Sequence, residues 1–222
     1  MTDTAQAAPP RRRSRKRRRR ARPPLLLILG GAVLLTAVLL LTGQRPAAAA
    51  VPVPETLPDW IRERLLPVNE WSRPGTAMEA VNGIVIHYVG NPGTTAEQNR
   101  SYFAGLAQSH ETYASSNFLI GLDGEVLLCV PIGEVAYCSN GRNSDTLSIE
   151  VCHPDETGQF TPESYRSLIR LVNWLRDFYD LGAEDVIRHY DVTGKVCPKY
   201  YVEHPEAWEA FQSDLLTGGG GE

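Results

Sequence analysis

Three side chains able to ligate a metal or move a proton lie close together near the C-terminal end of the chain. The run Arg188-His189-Tyr190-Asp191-Val192-Thr193-Gly194-Lys195-Val196-Cys197-Pro198 puts an imidazole, an ammonium and a thiol within nine residues. His189 and Cys197 are too far apart for adjacent turns of one helix, so a loop has to fold back to join them. Imidazole plus thiolate suits Zn²⁺, and a catalytic zinc takes three protein ligands and leaves the fourth position open. The third ligand must come from elsewhere. Gly83-Ile84-Val85-Ile86-His87-Tyr88-Val89-Gly90 offers it: an apolar, β-branched run carrying His87, followed by the loop Asn91-Pro92-Gly93.

Each of these residues has a plainer reading. A histidine in an apolar strand can be a core residue bonded to a backbone carbonyl. Cys197 can be a small buried hydrophobe or, paired with a histidine, a thiolate nucleophile. Glu150, in Leu147 to Cys152, is a surface carboxylate of an edge strand or a general base. Lys195 is either a solvated loop lysine or an oxyanion partner. His110 and His153 carry no assigned role and read as structural or substrate-lining.

The ordered set of His87, then Ser148-Ile149-Glu150, then His-x₅-Lys-x-Cys from His189 to Cys197, resembles the type-2 N-acetylmuramoyl-L-alanine amidases, which include phage and bacterial wall-lytic enzymes and the peptidoglycan recognition proteins. The resemblance spans roughly residues 56 to 216. It implies an α/β fold with a mixed central β-sheet covered by helices. It also implies one Zn²⁺ per chain on His87, His189 and Cys197, with Glu150 as base and Lys195 at the oxyanion. The expected partner is peptidoglycan, cut between the lactyl group of muramic acid and the L-alanine of the stem peptide. Asn140, Arg142 and Asn143, in the loop ahead of Glu150, are candidate substrate contacts. One departure stands out. Some members carry a catalytic tyrosine just before the second strand, where this chain has Ser115-Ser116-Asn117-Phe118, so that role is absent or falls to Glu150. A non-catalytic peptidoglycan receptor on the same fold is the main alternative, and a Cys197/His189 cysteine peptidase the second.

The elements that must position these residues follow from pattern. The strand at 83–89 puts Val85, His87 and Val89 on one face and Ile84, Ile86 and Tyr88 on the other. Apolar on both faces, it belongs inside a sheet. A helix follows with a capping box at Thr94 and Glu97 and runs to about Ala107. Asn117 to Gly121 and Glu125 to Val130 form a hairpin at Asp123-Gly124. On the next strand Ser148, Glu150 and Cys152 share a face. Thr161 and Pro162 open a long helix that Gly182 closes. Val186 to His189 is a short strand, and a last helix begins near Pro205. Leu57 to Leu66 reads as a short helix. Cys129 and Cys138 are the nearest candidates for a disulfide, with free buried thiols the other reading.

The 222 residues carry a net charge of −4 that hides an asymmetry. Ten Lys/Arg and one Asp precede residue 23, whereas the rest holds twelve Lys/Arg against twenty-five Asp/Glu. An acidic catalytic half argues against a nucleic-acid partner, which needs clustered cations. The basic run is followed by eighteen uncharged residues, Leu25 to Thr42, enough at about 1.5 Å per residue to cross a bilayer core of roughly 30 Å. The expected organisation is a cytoplasmic basic tail (1–23), a transmembrane helix (24–43), a Pro/Ala-rich tether (44–58), the zinc amidase domain (59–217) outside the membrane, and a short tail (218–222). Cleavage of a signal peptide near Ala47 to Ala50, giving a secreted protein, is the alternative.

Overall fold

The computed structural model describes residues 50–217. The basic segment, the expected membrane span and the last five residues lie outside the described residues. Among those described, no helix is long and apolar enough to cross a membrane.

One six-stranded mixed sheet organises the domain. Its strands are β1 (Ile61–Glu63), β2 (Ile84–Tyr88), β3 (Phe118–Ile120), β4 (Val126–Leu128), β5 (Leu147–Val151) and β6 (Val186–Arg188), in the order β1-β4-β3-β5-β2-β6. Only the β3–β4 hairpin is antiparallel; every other neighbour pair is parallel. The expected burial of β2 on both edges and both faces is met, since it pairs with β5 on one side and β6 on the other.

Strand alternation divides the core in two. Ile84 and Ile86 of β2 and Leu147, Ile149 and Val151 of β5 face one cluster, packed under α2 (Pro162–Tyr179) and α5 (Pro205–Leu216). Leu119, Leu127 and Cys152 face the other, covered by Phe103 and Leu106 of α1 (Ala96–Ser109). His87 and Glu150 point to this second side, with Val89 packing on it. Two short helices, α3 (His189–Thr193) and α4 (Lys199–Glu203), follow β6.

Several local expectations are corrected. Residues 57–66 form no helix. Ile61–Glu63 instead pairs in parallel with Val126–Leu128, because an eight- to ten-residue helix is marginal alone and the open edge of β4 offers ready hydrogen bonds. The cap of α1 is Thr95, not Thr94: Gln98 N donates to Thr95 Oγ1 at 3.2 Å and Thr95 N to Gln98 Oε1 at 2.9 Å. The Thr94 hydroxyl is already committed to Asn91 O at 2.7 Å. Helix α2 ends on Asp180, with φ 55°, rather than on Gly182, since aspartate tolerates the left-handed region. Strand β6 stops at Arg188, so His189 opens a helix. All four cysteines are free, and Cys129 lies in the α1-side core while Cys138 lies in the loop ahead of β5. In the described part of the tether, Val51 and Leu57 pack on the core, and Tyr179 donates its hydroxyl to Pro52 O at 2.7 Å.

Between β3 and β5 a buried polar bridge replaces apolar packing. Asn117 Oδ1 accepts from Ser148 N at 3.0 Å and Ser148 Oγ at 3.1 Å, and its amide donates to Glu134 O at 3.2 Å. Removing it strands several buried partners. Asn117→Ala is therefore expected to lower stability by about 2 kcal/mol or more, measured by urea unfolding; a loss below about 0.5 kcal/mol would show the bridge to be dispensable.

Candidate metal and acid site

The parallel register sets His87 directly opposite Glu150. On the other side β6 delivers His189 one residue beyond the Arg188↔Ile86 pair, and the two imidazole centroids stand 4.6 Å apart. Cys197 returns beneath them, its Sγ 3.8 Å from His87 Nδ1. The ligand atoms of His87, His189 and Cys197 all lie within 4.8 Å of one another, and all three residues are buried. A tetrahedral zinc with bonds of roughly 2.0 Å to nitrogen and 2.3 Å to sulfur holds two nitrogens about 3.3 Å apart and nitrogen and sulfur about 3.5 Å apart, close to the 3.8 Å between Cys197 Sγ and His87 Nδ1.

Hydrogen bonding orients the rings for this. His87 Nε2 meets Ser139 Oγ at 3.2 Å, and His189 Nε2 meets Asn140 Oδ1 at 2.8 Å, which leaves both Nδ1 atoms facing inward. His189 Nδ1 is buried without any partner, a costly state for a polar atom unless a ligand completes it. Burial holds the His87 imidazole well below its usual range, with His189 and Lys195 adding to the effect; burial and then Lys195 lower His189. Neutral imidazoles are what a cation requires. Burial pushes the Cys197 thiol up to about 12, with Glu150 reinforcing it, which is the opposite of what a thiolate nucleophile needs.

His87, His189 and Glu150 line a cleft of about 380 Å³, together with Phe103, Tyr113, Tyr137, Cys138, Asn143 and Lys195, while Cys197 lies buried behind it. Of the loop residues expected to meet substrate, Asn140 and Asn143 line the cleft but are turned to internal duty. Asn140 braces His189, and Asn143 Oδ1 accepts from Cys138 N at 3.2 Å and Ser139 N at 2.6 Å. Arg142 is absent from the lining and pairs with Asp145 at 2.7 Å. Ser116 is buried outside the cleft, donating to Phe118 O at 2.7 Å, so it replaces no phenol. Tyr113 and Tyr137, which sequence reasoning missed, supply two phenols to the cleft wall, their rings edge to face at 5.4 Å. Cys138 was also missed; its thiol donates to Glu150 Oε1 at 3.5 Å. None of the three signalled itself, because all lie on loops without periodicity. His153 is buried beside Tyr88, its Nδ1 2.7 Å from Asp155 O, and His110 caps α1; neither lines the cleft.

The fold and site together define an α/β protein that gathers two imidazoles, a thiol and a carboxylate at the C-terminal ends of parallel strands. Residues 77–200 match the family described as N-acetylmuramoyl-L-alanine amidase, and the chain belongs to that family. A probable N-acetylmuramoyl-L-alanine amidase from Bacillus licheniformis is 33% identical over 165 residues, which cover 68% of this chain and 46% of the relative. The chain thus spans about half the length of that relative. Among solved structures, a mutant endolysin from Bacillus subtilis superposes with a TM-score of 0.59 at 23% identity, covering 70% of this chain and 97% of its own. PlyL does so with 0.60 at 21% identity, covering 70% and 96%. These likenesses establish the fold.

Burial raises Glu150 from its ordinary 4.5 to about 7, although the Cys138 thiol and Lys195 pull the other way. A folded value above the unfolded one means the neutral carboxyl favours the fold below about 4.5, and that contribution is lost as pH rises through about 7. The depressed imidazoles act in the opposite sense, gaining as pH rises, so the Glu150 part must be read by difference. In chelator-treated protein, Glu150→Gln is expected to match wild type in thermal midpoint near pH 4 and to exceed it increasingly up to about pH 8. Parallel midpoint curves across that range would rule out a buried, raised carboxyl.

Proposed function

We propose that this chain is a zinc-dependent N-acetylmuramoyl-L-alanine amidase, anchored by its N-terminal segment and acting on peptidoglycan outside the membrane. The observation that carries the reading is the meeting of His87, His189 and Cys197, the two histidines lining one cleft with Glu150, in a chain of this family. Those three residues would hold one Zn²⁺, which would supply Lewis acidity toward a water and a carbonyl oxygen. The chain's own groups do the rest. Glu150 takes the proton of the attacking water and hands it to the leaving amine of L-alanine. Lys195, exposed at the cleft, brings a positive charge to the oxyanion. Ser139 and Asn140 hold the imidazoles in the required orientation. The general-base contribution, roughly 10²–10⁴ in rate, is assigned to Glu150, since no phenol stands at Ser116.

Purified peptidoglycan incubated with the zinc-loaded protein should release α-amino groups on L-alanine and no new reducing sugar ends, and Glu150→Gln should slow that release by roughly 10²–10⁴-fold with zinc retained. Amines on other residues would make the protein an endopeptidase. Tight binding to the wall without release would leave a receptor. A drop below about tenfold in the Gln variant would send the search to another base, Tyr113 and Tyr137 first.

The anchor rests on ten cations ahead of eighteen uncharged residues. The full chain should fractionate with membranes at its intact mass, with the domain open to protease added from outside. A soluble form starting near Ala50 would make the segment a cleaved signal.

A further inference from the structure

A second group of metal-ligating side chains adjoins the first. The ligand atoms of His87, Cys138 and Glu150 also lie within 4.8 Å of one another. Cys138 Sγ stands 3.5 Å from Glu150 Oε1, the separation that a sulfur and an oxygen take when one tetrahedral zinc holds both, about 3.6 Å. The other carboxylate oxygen, Oε2, is shielded from solvent and has no partner. His87 belongs to both groups, but its two nitrogens look different ways: Nδ1 toward Cys197, Nε2 toward Ser139, the neighbour of Cys138. Cys138 and Glu150 are therefore free to act together without taking a ligand from the first set.

We propose that Cys138 and Glu150 form a second, inhibitory site for a soft divalent cation such as Zn²⁺ or Cd²⁺, next to the catalytic ion. This rests on the zinc reading of His87, His189 and Cys197. The thiol and carboxylate are the protein ligands, water fills the remaining positions, and the thiol proton leaves to solvent on binding. Occupation takes the carboxylate that the reaction needs as its base. Excess cation thus stops turnover while the first ion stays in place.

The test needs no turnover. The full chain, stripped of metal and held in detergent, is titrated with Cd²⁺ while the ultraviolet sulfur-to-cadmium charge-transfer band and the bound metal are followed. Wild type should bind two Cd²⁺ and develop the band of two thiolates. Cys138→Ser and Cys197→Ser should each bind one and develop about half the amplitude, because each removes one thiolate of two. Cys129 and Cys152 are buried in the core on the α1 side and are common to all three proteins, so they cancel. Circular dichroism checks that each isosteric variant is folded. Saturation of wild type at one Cd²⁺, with Cys138→Ser indistinguishable from it, would overturn the second site. Should Cys197→Ser instead match wild type while Cys138→Ser loses the band altogether, the second site would stand and the first-site reading would fall.

Discussion

Everything at the site depends on one piece of strand pairing: β2 and β5 run parallel in a register that places His87 opposite Glu150. Side chains alternate along a strand, so a slip of one residue would turn either His87 or Glu150 into the apolar layer beneath α2 and α5 and separate the two. The register is fixed by what lies on that layer. Ile84, Ile86, Leu147, Ile149 and Val151 are all fully buried there, and each would have to enter the polar cleft if the pairing moved. Packing on one face of the sheet thus determines the chemistry available on the other.

The loop between β4 and β5 completes the cleft by a different physics. It is polar, it carries the left-handed residue Asn140, and its backbone is held by side-chain acceptors rather than by a sheet. Asn143 ties Cys138 and Ser139 in place, and those two in turn meet Glu150 and His87. Within this well-bonded surround the atoms left unsatisfied include His189 Nδ1 and Glu150 Oε2, both directed at the centre. Buried polar atoms without partners are costly, and the two found here are what a bound ligand would satisfy.

The sheet and the meeting of His87, His189 and Cys197 were legible because both are written in local pattern. Alternation in Ile84–Tyr88 and Leu147–Val151 assigned each side chain to the face on which it is found, and the spacing of His189 and Cys197 demanded a returning loop. What was illegible depended on contacts between distant segments. Ile61–Glu63 became a strand only because β4 had an open edge. Thr95 displaced Thr94 as a cap because the earlier hydroxyl was claimed by a turn. Tyr113, Tyr137 and Cys138 reach the cleft from loops whose course no periodicity records, and Arg142 left it for a local ion pair that its spacing from Asp145 could have suggested.

The loop that joins His189 to Cys197 closes on itself through the backbone. Tyr190 N donates to Cys197 O at 2.8 Å, and Gly194, with φ 78°, makes the turn that allows it. Two of the three residues proposed to hold a cation, His189 and Cys197, are therefore tethered together before any ion arrives. The ordering entropy that a disordered loop would lose on binding has already been spent in folding. An ion entering such a site finds bite distance and direction set in advance, so exchange of one divalent metal for another becomes a matter of radius and softness rather than of refolding.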